Sequence, residues 1–314
     1  AELVKQLGLN TRDVPAREAQ PARAALVAAT STRVMAPRKK RFALRQDKSV
    51  QQTMDIAIVG LSGRYPQANG VQAYWDKLLQ EVDCITEIPK ERWDHSRYFD
   101  QTKGTLGKTY AKWGGFIDGV EQFDPLFFNI SPREAVGMDP QERLFLQTVV
   151  ETLEDAGYTR DKLGQRVGVY VGVMYEEYQL YGAQAQQQGM GYALGGNAAS
   201  IANRVSYWCN FRGPSMAVDT MCSSSLTAIH LACQSIRSGH CEVAVAGGVN
   251  VSVHPNKFLV LAQGQFASSE GLCRSFGEGG DGYVPAEGVG AVLLKPLSQA
   301  IEDGDRIYGV IRGS

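Results

Sequence analysis

The sequence predicts a layered α/β fold, and three observations carry that prediction. Apolar runs of strand length recur at 54–60, 167–174, 216–220, 242–247, 289–294 and 306–311. Their apolar character is continuous rather than alternating, which suits strands covered on both faces. Between them lie segments with helical spacing and helix punctuation, and strands that alternate with helices build a layered α/β domain.

Each element has its own justification. The run at 54–60 reads as a buried strand that ends in a turn, Gly60-Leu61-Ser62-Gly63. Residues 71–81 read as a short helix. Asp139-Pro140 opens a longer one, with a capping aspartate followed by proline at the first helical position. Leu144, Val149, Val150 and Leu153 fall on its inward face, and it stops near Gly157. A second clear helix begins at Cys222. Leu226, Ile229, Cys233 and Ile236 recur at helical spacing there, and Gly239 supplies the stop. No repeat of solenoid length interrupts this order.

Composition narrows the function classes. The chain has 314 residues, 44% hydrophobic and 21% charged, with a net charge of −1. These are the proportions of a soluble globular protein, with no basic surplus for nucleic acid. No apolar run is long enough to span a membrane, and no secretory signal opens the chain. Six cysteines, at 84, 209, 222, 233, 241 and 273, do not form the pattern of a disulfide framework. The expectation is a cytoplasmic protein with free thiols. Charge is uneven: residues 1–50 hold eleven Lys/Arg against four Asp/Glu, a surplus of seven. That stretch is rich in Ala, Pro and Arg and nearly free of aromatics, so it reads as a solvated linker from a preceding domain. Residues 51–314 then form the folded unit.

Several motifs invite chemistry, and most have a plainer reading. Gly60-Leu61-Ser62-Gly63 follows a strand but lacks the full dinucleotide or P-loop pattern. The Gly-rich stretch 277–282 carries two acidic residues that would repel phosphate. His230, Cys233, His240 and Cys241 have metal-like spacing, but structural zinc sites pair ligand clusters in loops, whereas these fall on a helix face and at a helix-to-strand junction. No metal is expected.

Cys222 is different. An apolar strand delivers it to the start of a helix, where backbone N–H groups and the helix dipole favour negative charge. Ser223, Ser224 and Ser225 follow, small enough for backbone to approach a ligand. A cysteine so placed is a candidate nucleophile for covalent acyl transfer, and its own N–H can donate to an oxyanion.

The residues here resemble the β-ketoacyl synthase, or ketosynthase, domains of modular type I polyketide synthases. The matching segments are Ile56-Ala57-Ile58-Val59-Gly60 with Gly63-Arg64-Tyr65-Pro66, Phe123-Asp124-Pro125 with Phe127-Phe128, and Met138-Asp139-Pro140-Gln141 with Arg143-Leu144. Glu154-Asp155-Ala156-Gly157, Ala202-Asn203-Arg204 and the block from Gly213 to Leu226 follow, then Ala246-Gly247-Gly248-Val249-Asn250 and Gly282 to Gly288. The wording of the last segment is similar to synthases served by a trans-acting acyltransferase, enzymes of antibiotic biosynthesis.

The resemblance implies the N-terminal half of a thiolase fold, usually paired as a homodimer across the strand before the nucleophile. It implies that Cys222 accepts an acyl chain from the phosphopantetheine arm of an acyl carrier protein for decarboxylative condensation with a malonyl unit. No cofactor is held by the domain itself. Met221, Leu261 and Phe266 are expected in the pocket wall. The family's two catalytic histidines fit none of His95, His230, His240 and His254, and are expected beyond Ser314, in a C-terminal half on the same or a separate polypeptide. The expectation is a fragment inactive in condensation by itself. The alternative is a module that transfers or gates an acyl chain without extending it, or that only docks.

Overall fold

The computed structural model describes residues 54–189 and 194–314. The linker expected over residues 1–50 lies outside the described residues. The described chain forms a mixed seven-stranded sheet clad by helices on both faces. Its strands are β1 (Ile56–Tyr65), β2 (Ala68–Asn69), β5 (Val167–Gly172), β6 (Ser215–Val218), β7 (Val243–Asn250), β8 (Gly288–Pro296) and β9 (Gly309–Ile311). A separate antiparallel pair joins β3 (Ile85–Glu87) to β4 (Trp113–Gly115). The order across the large sheet is β2-β1-β8-β7-β5-β6, with β9 also on β1. β5 runs parallel to β6 and β7, whereas β8 is antiparallel to β7 and to β1.

Eight α-helices lie among the described residues: α1 (Val71–Leu79), α2 (Pro132–Gly137), α3 (Pro140–Asp155), α4 (Tyr178–Gln187), α5 (Ala198–Cys209), α6 (Ser224–Arg237), α7 (Asn256–Gln263) and α8 (Leu297–Glu302). Two cores separate them. On one face α3 and α5 pack Leu144, Val149, Leu153, Ile201 and Val205 against Val167, Val169, Val171, Val243 and Val245. On the other face α6 packs Ala228, Ala232, Cys233 and Ile236 against Tyr170, Ala244 and Ala246. Valine alternates with glycine or tyrosine along β5 and with alanine at the start of β7, so each strand gives its valines to the α3/α5 layer and its other residues to the α6 layer. The glycines and alanines on that side let α6 lie close to the sheet.

Several sequence expectations need correction. Gly60-Leu61-Ser62-Gly63 is not a turn: β1 runs through it to Tyr65, with a register irregularity between Ile58 and Gly60. The glycine is required by packing. A Cβ on Gly60 would lie 2.5 Å from the Thr152 carbonyl oxygen of α3. The strand expected from 306 is confined to Gly309–Ile311, because Arg306 is drawn to the Asp155 carboxylate at 2.6 Å. The strand expected at 242–247 continues to Asn250. α6 begins at Ser224 rather than Cys222, and Leu226 is 72% exposed, off the inward stripe.

α3 starts as expected. The Asp139 carboxylate accepts from the Gln141 N–H at 2.8 Å, and Pro140 occupies the first turn. Burial, with Glu142 nearby, pushes the Asp139 carboxyl up to about 6. The stretch 277–282 remains an irregular loop. Asp281 there accepts from the Ser269 N–H and hydroxyl and pairs with Lys103 at 2.8 Å; Lys103 and Ser269 hold its carboxyl well below the usual range.

Candidate active site

The parallel strands β5, β6 and β7 lead toward the start of α6, and the chain turns sharply between β6 and α6. Asp219 begins the turn by accepting from the Met221 N–H at 2.9 Å. Met221 then takes φ +60°, the left-handed region that side chains with a Cβ rarely enter. Such strain persists only where neighbours over-determine it, and Ser224 does so. Its hydroxyl accepts from the Thr220 N–H at 2.9 Å and donates to the Met221 carbonyl at 2.6 Å. The Ser223 hydroxyl donates to the Thr220 carbonyl at 2.9 Å. Cys222 stands at the apex of this elbow, exposed.

Two glycines let the helix start so close to the sheet. A Cβ on Gly172, the last residue of β5, would fall 2.5 Å from the Ser225 backbone nitrogen. A Cβ on Gly248 of β7 would fall 2.9 Å from the Ser225 Cβ. The first turn of α6 therefore rests directly on the ends of two central strands.

Cys222 and Met221 border a cavity of about 540 Å³. Its other walls come from Leu61 and Ser62 of β1, Tyr175, the 246–250 stretch of β7, Lys257 of α7 and the segment 283–292. Burial, then Glu177, Cys222 and Asp219, raise the Tyr175 hydroxyl above its ordinary value. Burial, then Tyr175 and Cys222, do the same for Tyr283. Both phenols are neutral donors at pH 7. Glu287 is 4% exposed and carries four donors: Arg92 to both oxygens, the Ser252 N–H at 2.9 Å and the Ile117 N–H at 2.8 Å. This saturated carboxylate pins the 285–288 wall to the rest of the domain.

The sequence-predicted residues divide. Met221 and Cys222 are brought together. Leu261 lies in a separate cluster with Tyr110, Ala111, Ala262 and Ala267, and Phe266 is 60% exposed; neither borders the Cys222 cavity. His230, Cys233, His240 and Cys241 do not converge. His230 Nδ1 sits 3.2 Å from the Ser314 hydroxyl, His240 Nδ1 lies 2.9 Å from the Ser238 hydroxyl, and the Cys241 thiol donates to Ser235. Among the described residues no three His, Cys, Asp or Glu side chains are placed to hold a metal.

Sequence reasoning missed Lys257. It is 3% exposed, donates to Asn250 Oδ1 at 2.8 Å and lies 4.9 Å from the Tyr175 ring centroid. Burial outweighs the attraction of Glu177 and Glu287 and brings its amine down to about 8. The available signal was one cation leading the apolar run Phe258-Leu259-Val260-Leu261-Ala262.

Comparison with known proteins assigns the family. The β-ketoacyl synthase N-terminal domain matches residues 53–300. The chain belongs to the β-ketoacyl synthase family. It is 65% identical over 291 residues to polyketide synthase PksL of Bacillus subtilis strain 168, covering 88% of the chain and 6% of that protein. It is also 65% identical over 257 residues to polyketide synthase ThaG of Burkholderia thailandensis, covering 82% of the chain and 5% of the relative. Among solved structures it matches the oxazolomycin ketosynthase domain OzmH KS7 of Streptomyces albus JA3453. There the TM-score is 0.80 and the identity 58%, over 82% of the chain and 46% of that structure. The ketosynthase from module 6 of the bacillaene synthase of Bacillus subtilis 168 matches at TM-score 0.74 and 42% identity, over 82% of the chain and 43% of that structure. The chain thus spans under half of these ketosynthase structures and about a twentieth of the synthases. The expected polyketide ketosynthase type and thiolase-like α/β fold are both found, with the matched region being the N-terminal domain. Among the described residues no helix is long and apolar enough to cross a membrane.

Proposed function

We propose that Cys222 is the acyl-accepting nucleophile of a polyketide ketosynthase. The single observation that carries this is the exposed thiol held at the apex of the β6–α6 elbow, on the wall of a cavity lined mainly by apolar groups. The Cys222 thiolate attacks the thioester carbonyl of an acyl chain on the phosphopantetheine arm of an acyl carrier protein. The carbonyl oxygen becomes an oxyanion, for which the Cys222 N–H is one donor. The C–S bond to pantetheine breaks, that thiol leaves with a proton, and the chain remains on Cys222.

Condensation follows. A malonyl-carrier unit loses carbon dioxide, and the electron pair of the broken C–C bond becomes a carbanion equivalent. It attacks the Cys222 thioester, a new C–C bond forms, and the thiolate leaves. Family membership supports this second step, together with dimeric assembly and an origin in cytoplasmic antibiotic biosynthesis of the trans-acyltransferase type. No histidine borders the Cys222 cavity among the described residues. We therefore assign carbanion chemistry to histidines supplied by the C-terminal part of a complete ketosynthase, and none to this segment alone. The same observation favours a second reading, in which Cys222 accepts and passes on a chain without extending it.

The test is intact-protein mass spectrometry after incubation with an acyl-pantetheine thioester, with and without a polypeptide that supplies the remaining part of the fold. The expected result is one acyl mass gain in wild type and none in C222A. Malonyl-carrier then separates the readings: a product longer by two carbons means elongation, and an unchanged chain means transfer. Absence of acylation under both conditions would leave a structural or docking role.

A further inference from the structure

Lys257 is a buried cation whose hydrogen-bonding capacity the protein does not use up. Lysine is almost never fully buried unless paired, yet no carboxylate forms an ion pair with its Nζ among the described residues. Glu287 is occupied by Arg92 and two backbone N–H groups; Glu177 accepts from the Asn256 side chain at 3.0 Å through Oε1, and its buried Oε2 has no hydrogen-bond partner, the Lys257 amine included. An ammonium has three donors. One reaches Asn250 Oδ1 at 2.8 Å, and the charge lies 4.9 Å from the centre of the Tyr175 ring. That leaves a donor without a protein acceptor, on a side chain that borders the same cavity as Cys222.

The surroundings fix where this donor can act. Lys257 is held by Asn250, which donates in turn to the Ala286 carbonyl at 2.7 Å, so the amine is braced between β7 and the 283–292 wall. Most of the rest of the cavity surface is apolar, from Val173, Met174, Ile229 and Val292 among others. A braced cationic donor in a largely apolar wall discriminates, because an oxygen that meets it gains a charge-assisted hydrogen bond and a methylene that meets it leaves the amine unpaired.

We infer that Lys257 is a specificity-determining residue that selects acyl chains bearing an oxygen near the thioester, a hydroxyl or a carbonyl, over fully reduced chains. The inference rests on the reading of Cys222 as the acyl acceptor. It involves no proton transfer: Lys257 donates a hydrogen bond to the chain oxygen while the chain is bound to Cys222, with Tyr175 and Asn250 holding the amine in place.

The experiment compares initial rates of Cys222 acylation by hexanoyl-pantetheine and 3-hydroxyhexanoyl-pantetheine, followed by intact mass on the protein assembled as above. Wild type is expected to prefer the hydroxylated chain by about tenfold, the worth of one charge-assisted hydrogen bond. In K257M the ratio of the two rates is expected to fall to about one. K257Q, of similar length and still a donor, guards against misfolding in the methionine variant and is expected to give an intermediate ratio. A wild-type ratio near one, or a ratio unchanged in whichever variant folds, overturns the inference. If neither thioester labels wild type, the Cys222 reading itself fails, an outcome distinct from labelling without preference.

Discussion

The two ends of α6 place the same residue type in opposite circumstances. At the N-terminal end, Cys222 is exposed and presented by a strained elbow. Three turns on, Cys233 is fully buried against Tyr170 and Ala244, and burial pushes its thiol above the ordinary value. Cys241, just past the helix, and Cys209 on α5 are likewise buried; burial drives Cys209 up to about 12. The lesson is that a thiol's access to solvent here is set by backbone geometry, not by the helix or the residue type. The inward side of α6 uses cysteine as a small apolar filler, and the leading turn presents one to a cavity.

The largest expected effect is on thiol modification. Under native conditions iodoacetamide should alkylate Cys222 and the exposed Cys273 first, with Cys209, Cys233 and Cys241 slower by orders of magnitude because they need local opening. Peptide mapping over time reads this, and early labelling of Cys233 would erase the contrast. Next come the glycines that bracket α6. G172V places a Cβ 2.5 Å from the Ser225 nitrogen, and is expected to cost about 1–3 kcal/mol and to slow Cys222 acylation at least ~10-fold. Gly239 marks the other end, with φ +73° and open space within 4 Å of where a Cβ would stand. G239A should cost about 1–2 kcal/mol through backbone strain alone and leave acylation intact. Denaturant melts and acylation rates on both variants separate the two ends.

S224A sharpens the comparison further. It leaves the Thr220 N–H and the Met221 carbonyl without their hydroxyl partner, at about 1–3 kcal/mol, and releases Met221 from its left-handed conformation. The acylation rate should fall with the stability. The effect with the least bearing on acylation lies away from the elbow, at the α3 cap. The folded Asp139 carboxyl, at about 6, lies above its unfolded value. Its contribution is therefore fully present below the unfolded value near pH 3.8 and is lost as pH rises through about 6. D139N keeps a capping oxygen and should raise stability at pH 7 by on the order of 2 kcal/mol. Urea melts at pH 4.5 and pH 7.5 should show the gain shrinking at the lower pH; a gain equal at both would refute the assignment.

What the sequence made legible follows from which causes are local. The α3 start was readable because Asp139 and Pro140 cap the helix that follows them. Cys222 was readable because an apolar strand, a cysteine and three serines lie in one continuous stretch. The full length of β1 is hidden in the sequence because Gly60 and Gly63 look like punctuation, whereas Gly60 is demanded by Thr152, far away in sequence. Leu226 matched the helical spacing yet points outward, because the sheet contacts Ala228 and Ala232 instead. Lys257 was invisible for the same reason as Gly60: its burial is created by Asn250, Tyr175 and the 283–292 wall, which are brought together only by the fold.

β1 has one more consequence, for how the chain is made. It is the first strand of the described unit, and its residues Ile56 to Ile58 bond on one side to β8 and on the other to β9. A nascent chain leaving the ribosome therefore carries β1 for more than 220 residues before either main partner emerges. In that interval its open edges can bond to any passing strand, including that of a neighbouring nascent chain. A chain stalled or clipped before Gly288 keeps α3 and α6 but has no β8 to join β1 to β7.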